Sequence, residues 1–146
     1  MDYIFNIFIV FFAGLLELWL AIPLGFLLKL PPFITAVVSA LGSISAVVIV
    51  ALAGDKLRSR FLKWHYGTDE GLKKSRMHQI WNQYGVIGLG LLSPLLFGAP
   101  LGTALGIVLS AEKNKLLFWM AVGIIIWSAG LTAAIFLGLI TITPNL

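Results

Sequence analysis

Apolar residues run along this chain in four blocks, at about 4–28, 31–54, 84–111 and 116–142. Short polar joints separate them, except for one long charged stretch in the middle. As helix, each block is long enough to cross a hydrocarbon layer of roughly 30 Å. No ten-residue segments of alternating polarity occur, so a membrane barrel is not indicated. The second block is uninterrupted after Pro31-Pro32 and predicts a full span, since proline is tolerated in a first helical turn. The fourth holds Trp119 and Trp127 but neither proline nor charge, and predicts another. The first block is broken by Glu17, Pro23 and Gly25, and the third by Pro94, Gly98, Pro100, Gly102 and Gly106. Both contain Pro-Leu-Gly, as Pro23-Leu24-Gly25 and again 77 positions on as Pro100-Leu101-Gly102. Broken backbone at membrane depth persists only where protein or water satisfies its free N–H and C=O groups. Paired broken segments in matching halves point to a transporter-like site.

Two topologies fit the four blocks. If all four cross, the loop at 54–83 shares a side with both termini, and Lys113 and Lys115 lie opposite it. If blocks one and three are re-entrant hairpins, 54–83 and 111–116 share one side and nine of the ten Lys/Arg lie there, with Lys29 opposite. An excess of Lys/Arg marks the cytoplasmic side, which favours the hairpins. The expected fold is then an all-α integral membrane domain built as an inverted repeat of re-entrant hairpin plus transmembrane helix. Repeat 1 covers about 4–54, an amphipathic cytoplasmic linker about 55–83, and repeat 2 about 84–142.

Composition sharpens this picture. The 146 residues are 60% hydrophobic and 11% charged, with a formal net charge of +4 and a mean hydropathy of +1.01. Seven of the ten basic residues sit between 55 and 78, so the positive balance belongs to one loop. That pattern marks a membrane surface and gives no reason to invoke nucleic acid. In the linker, Leu57, Phe61 and Trp64 recur at helical spacing opposite Lys56, Arg60 and Lys63, as in a helix lying on an anionic leaflet. Gly67–Gly71 breaks it, and Leu72 to Tyr84 offers a second helix with Met77, Ile80, Trp81 and Tyr84 on its apolar face. The start of the chain has no basic n-region and no small-residue cleavage site after block one, so a removed signal peptide is not expected.

Glu17 is the one carboxylate within the apolar blocks. An acidic residue at the centre of a membrane helix costs roughly 2.5–3.5 kcal/mol on insertion scales, so it faces an interior or a wet cavity. It is the candidate for proton coupling or cation binding, or else it satisfies backbone groups freed by the break. Six residues before Pro23, it belongs on the descending arm near the bend. Pro23, Gly25, Pro94, Gly98, Pro100 and Gly102 are candidates to line a path at the bends, or mark ordinary kinks. Gly98, Gly102, Gly106 and Ser110 form a small-residue stripe, and Gly130, Ala134 and Gly138 another. Such stripes let helices approach closely, within one molecule or across a homo-oligomer seam. His65 and His78 have no matched ligands, Ser93 has no base, and cysteine is absent. No metal site, cofactor or enzymatic chemistry is expected; the expected partners are membrane lipids.

The run Glu17-Leu18-Trp19-Leu20-Ala21-Ile22-Pro23-Leu24-Gly25 resembles the first signature of the small multidrug export family of prokaryotic membrane proteins. Tyr84-Gly85-Val86-Ile87-Gly88-Leu89-Gly90-Leu91, followed by Pro94 and by Gly98 to Thr103, resembles its second. The resemblance covers nearly the whole chain and implies a relation to the DedA superfamily, with paired re-entrant hairpins and the movement of lipids. It also places Glu17 at the acidic position near the first bend. Where relatives often have a basic residue soon after that glutamate, this chain has Leu18 and Trp19. Where DedA proteins carry arginines around the second hairpin's prolines, it has Ser93, Gly98 and Ala99. The expected function is a transporter or lipid translocase in a prokaryotic cell membrane, coupled to protons through Glu17. A small-molecule or multidrug exporter and a non-transporting assembly subunit are the alternatives.

Overall fold

The computed structural model describes residues 2–65, 84–109 and 111–142. They form six helices: α1 (Asp2–Leu16), α2 (Leu18–Leu27), α3 (Pro32–His65), α4 (Val86–Leu96), α5 (Ala99–Val108) and α6 (Lys113–Ile142). No strand occurs among the described residues, as the all-α expectation requires. Stretches of α3 and α6, Pro32–Arg60 and Lys113–Gly138, are long and apolar enough to cross a membrane.

The four shorter helices make two hairpins. In the first, α2 returns along α1 until the Asn6 amide donates to the Leu28 carbonyl at 3.4 Å. Val10, Ala21 and Leu30 are buried together between its arms and base. In the second, α5 returns along α4 so closely that a methyl group on Gly102 would collide with Ser93, and one on Gly106 would crowd Leu89 at 3.1 Å. The returning arms stop alike: Leu30 N–H reaches back to the Gly25 carbonyl, and Ala111 N–H to that of Gly106. Such a five-residue reach closes a helix end through a left-handed residue, which at the first base is Lys29 with φ 57°. A shift of 81 residues carries Leu18–Leu27 onto Ala99–Val108 and Pro32 onto Lys113. The register of the two halves is therefore 81, not the 77 of the Pro-Leu-Gly phrases.

α3 and α6 run antiparallel between the hairpins. Ser128 Oγ donates to the Ala36 carbonyl at 2.8 Å near one end, and Lys113 Nζ lies 3.8 Å from Asp55 at the other. The first hairpin flanks the early part of α3, with Gly25 against Thr35 and Gly14 against Ser39. The second flanks its later part, with Gly54 against Ile107 near the end of α5. Residues 35 and 54 are about 29 Å apart along a helix, so the hairpin bases lie toward opposite ends of α3 and the tips lie between. The main core, which includes Val47, Ala51, Leu116, Met120 and Ile124, joins α3 to α6 and the second hairpin.

Proline explains part of this packing and misleads about another part. Pro94, buried inside α4, has no N–H to offer the Gly90 carbonyl one turn back. That carbonyl lies against Gly123 of α6, where any side chain would collide with it, and Trp127 Nε1 donates to the adjacent Leu91 carbonyl at 2.6 Å. Pro94 thus lies in the last turn of α4, just before the second bend, and the carbonyl it leaves free lies in the α4–α6 seam. Pro23 is likewise inside a helix, six positions into α2, and exposed. With Gly25, which is packed on Thr35, it lies beyond the first bend, which falls at Glu17. The expected linker helix is also not separate at its start: α3 runs on through Asp55 to His65. Its continuation, the helix expected from Leu72 to Tyr84 and His78 lie wholly or mostly outside the described residues.

Candidate functional site

The two hairpin tips come together. Glu17 is the single residue between α1 and α2, with extended backbone (φ −158°, ψ 127°), and it caps α2 without a side-chain hydrogen bond to it. Its carboxylate is therefore not consumed by its own helix. The second tip is Phe97-Gly98. Gly98 has φ 83° and ψ 153°, a conformation essentially reserved for glycine. A methyl group on Gly98 would stand 3.7 Å from the Leu16 carbonyl oxygen and 4.0 Å from Cγ of Glu17. Pro100 follows in the first turn of α5, where its missing N–H costs nothing.

The meeting point on α3 is about midway between Pro32 and Asp55. Ser43 Oγ donates to the Gly14 carbonyl, one turn before Glu17, at 2.8 Å. Ser43 is about 17 Å along the helix from Pro32 and about 18 Å from Asp55. From the other side, α5 covers about 13 Å between Gly98 and Ile107, which meets Gly54. Four helix ends converge here: the C-termini of α1 and α4 and the N-termini of α2 and α5. Their partial charges are opposite in pairs, so the Glu17 carboxylate is the net charge of the junction.

Of the expected path residues, the structure brings Glu17, Gly98 and Pro100 to the junction. Gly102 packs on Ser93 inside the second hairpin; Ser93 Oγ in turn donates to Met120 Sδ at 3.2 Å. The first small-residue stripe is interior: Gly98, Gly102 and Gly106 are all buried. The second is not, for Gly130 and Gly138 would meet nothing within 4 Å and Ala134 is exposed. Lys56 and Arg60 are exposed on the far end of α3, while the side chains of Lys63 and Trp64 lie outside the described ones. No group of three His, Asp or Glu side chains suited to a metal gathers among the described residues.

A polar face not expected from the sequence lies opposite the first hairpin. Thr35, Ser39 and Ser43 follow each other at four-residue spacing on α3 and are fully buried. Ser43 is bonded, but among the described residues Thr35 Oγ1 and Ser39 Oγ have no partner, nor does Thr132 Oγ1 on α6. Their spacing within an apolar block was the available signal.

A protein-family model described as "Putative small multi-drug export protein" matches residues 17–129, beginning on the tip glutamate itself. No curated protein and no solved structure matches the chain.

Proposed function

We propose that this chain, which belongs to the small multi-drug export protein family, is a multi-pass membrane transporter that moves small molecules between its two hairpin tips. The hairpins are re-entrant and approach the midplane from opposite faces, so that the halves form an inverted repeat. Loop 54–83 is cytoplasmic, in keeping with its basic residues. Glu17 is the group that binds a proton or substrate, and Gly98 lets the second tip approach it. Neither hairpin spans the bilayer alone, so the barrier between the faces is thinnest where the tips join.

The observation that carries this reading is the placement of Gly98 against Leu16 and Glu17, beside the stretch of the longest helix between Pro32 and Asp55. Transport of a phosphate-bearing lipid, the DedA-type alternative, would call for a cation at the tips. The tip residues Leu16, Glu17, Leu18, Phe97, Gly98 and Ala99 supply one negative charge and no positive one, which favours small-molecule export.

The test is efflux from vesicles reconstituted with the full chain, run in parallel with a cationic dye and a fluorescent phospholipid. Dye movement that is lost in Glu17→Gln, with the variant still folded, supports the reading. Lipid movement without dye movement replaces it with translocation. Movement of neither, with stable co-purification in a larger complex, replaces it with an assembly subunit. Single cysteines at Asp2, Asp69 and Asn145 test the topology on intact cells. Labelling by an impermeant maleimide at positions 2 and 145, but not 69, is expected; any other pattern removes the re-entrant arrangement.

A further inference from the structure

Glu17 sits at mid-depth and yet is not sealed inside the molecule. Its exposure is intermediate, and although the adjoining Leu18 is buried, other neighbours are open: Leu16 is 77% exposed, Trp19 46% and Leu20 62%. The second tip is open in the same way, with Leu96 61%, Phe97 54% and Leu101 62% exposed. In a chain whose long helices cross the bilayer, a surface at this depth faces acyl chains, not water. Among the described residues no counter-charge lies beside this carboxylate: Lys29 is at the base of the first hairpin, and Lys113 pairs with Asp55, well down α3 from the tips. The tips also present two aromatic rings, Trp19 and Phe97, whose faces attract cations.

We infer that the joined tips form a binding site that opens sideways into the bilayer and takes a lipophilic organic cation from the membrane. The Glu17 carboxylate supplies the counter-charge, and Trp19 and Phe97 supply aromatic contact. This rests on the export reading above and adds to it the substrate class and the direction of access. A compound dissolved among acyl chains reaches such a site without crossing an aqueous mouth. The inverse charge is rejected, because an organic anion would meet the carboxylate in a medium that screens poorly.

Tetraphenylphosphonium and tetraphenylborate have nearly the same shape and opposite charge, which makes them suitable probes. Binding of each is measured by equilibrium dialysis against the full chain in lipid nanodiscs. Saturable binding of the phosphonium alone is expected, with affinity falling at least tenfold in Glu17→Gln, several-fold in Trp19→Leu, and little in Glu17→Asp. Circular dichroism and gel filtration establish that each variant is folded. A nitroxide on Leu20→Cys, in a chain with no native cysteine, reads the direction of access. It should collide with oxygen far more than with a water-soluble nickel chelate, and lose mobility when the phosphonium binds.

Equal binding of both ions, or phosphonium binding unchanged in Glu17→Gln, overturns the cation site. A nitroxide open to nickel overturns access from lipid. One shielded from both reagents before ligand is added means that a second copy of the chain covers the tips, and overturns the open site. Vesicles that export other compounds while phosphonium does not bind overturn this inference and leave the export reading standing. Vesicles that export nothing overturn that reading itself.

Discussion

The first hairpin turns on an acid and the second on a glycine. At Glu17 the backbone is extended, a conformation open to any residue, so the turn leaves its side chain available for chemistry. At Gly98 the backbone is one that side chains exclude, so the turn is made by having none. The arms differ in the same sense. The first packs on α3 against hydroxyls, two of which lack partners among the described residues. The second is locked to α6 by the Gly90–Gly123 contact and the Trp127 hydrogen bond. Two hairpins of one register thus differ in what they bring to the junction: one carries the carboxylate, the other a turn without a side chain.

Substitutions can break that difference. The largest expected effect is functional: Glu17→Gln lowers dye efflux at least tenfold in vesicles while shifting unfolding in sodium dodecyl sulfate by less than about 0.5 kcal/mol. Comparable losses of stability from this change would assign Glu17 a structural role and erase the contrast. Gly123→Ala drives a methyl group into the Gly90 carbonyl and should cost about 2–3 kcal/mol in the same unfolding titration; Gly130→Ala, facing open space, should cost almost nothing. Gly98→Ala strains its backbone and should cost about 1–3 kcal/mol, with a methyl group that just clears the first tip. Smallest are the hydroxyls. Ser43→Ala loses a bond to Gly14 and about 1 kcal/mol, whereas Ser39→Ala removes an unpartnered group and should be neutral or stabilising.

Much of this architecture is legible in the residues. The long apolar runs after Pro31 and from about 116 marked the two helices long and apolar enough to cross a membrane, and Gly98 ahead of Pro100 marks the second tip, because glycine before an N-terminal proline is a helix start. The first tip is harder. Pro23 draws the eye, but a proline on an exposed helix face removes one hydrogen bond without ending the helix there. Glu17 stops α1 by a single extended residue, for which no turn chemistry exists in the sequence. The repeated Pro-Leu-Gly phrase is a coincidence of composition four residues out of register, and only the element ends reveal the shift of 81. The tip-to-tip contact joins residues 82 positions apart, Leu16 and Gly98, and no local pattern encodes such a distance.

On the proposed topology, with Glu17 about halfway across the bilayer, its position would have an electrical meaning. A full crossing of one elementary charge is worth about 2.3 kcal/mol per 100 mV of membrane potential. A monovalent cation held at the tips has about half of that drop on either side, so loading and unloading are each biased by about 1.2 kcal/mol per 100 mV. Voltage would then weigh both steps alike, and currents from oriented membranes would divide into two equal charge movements.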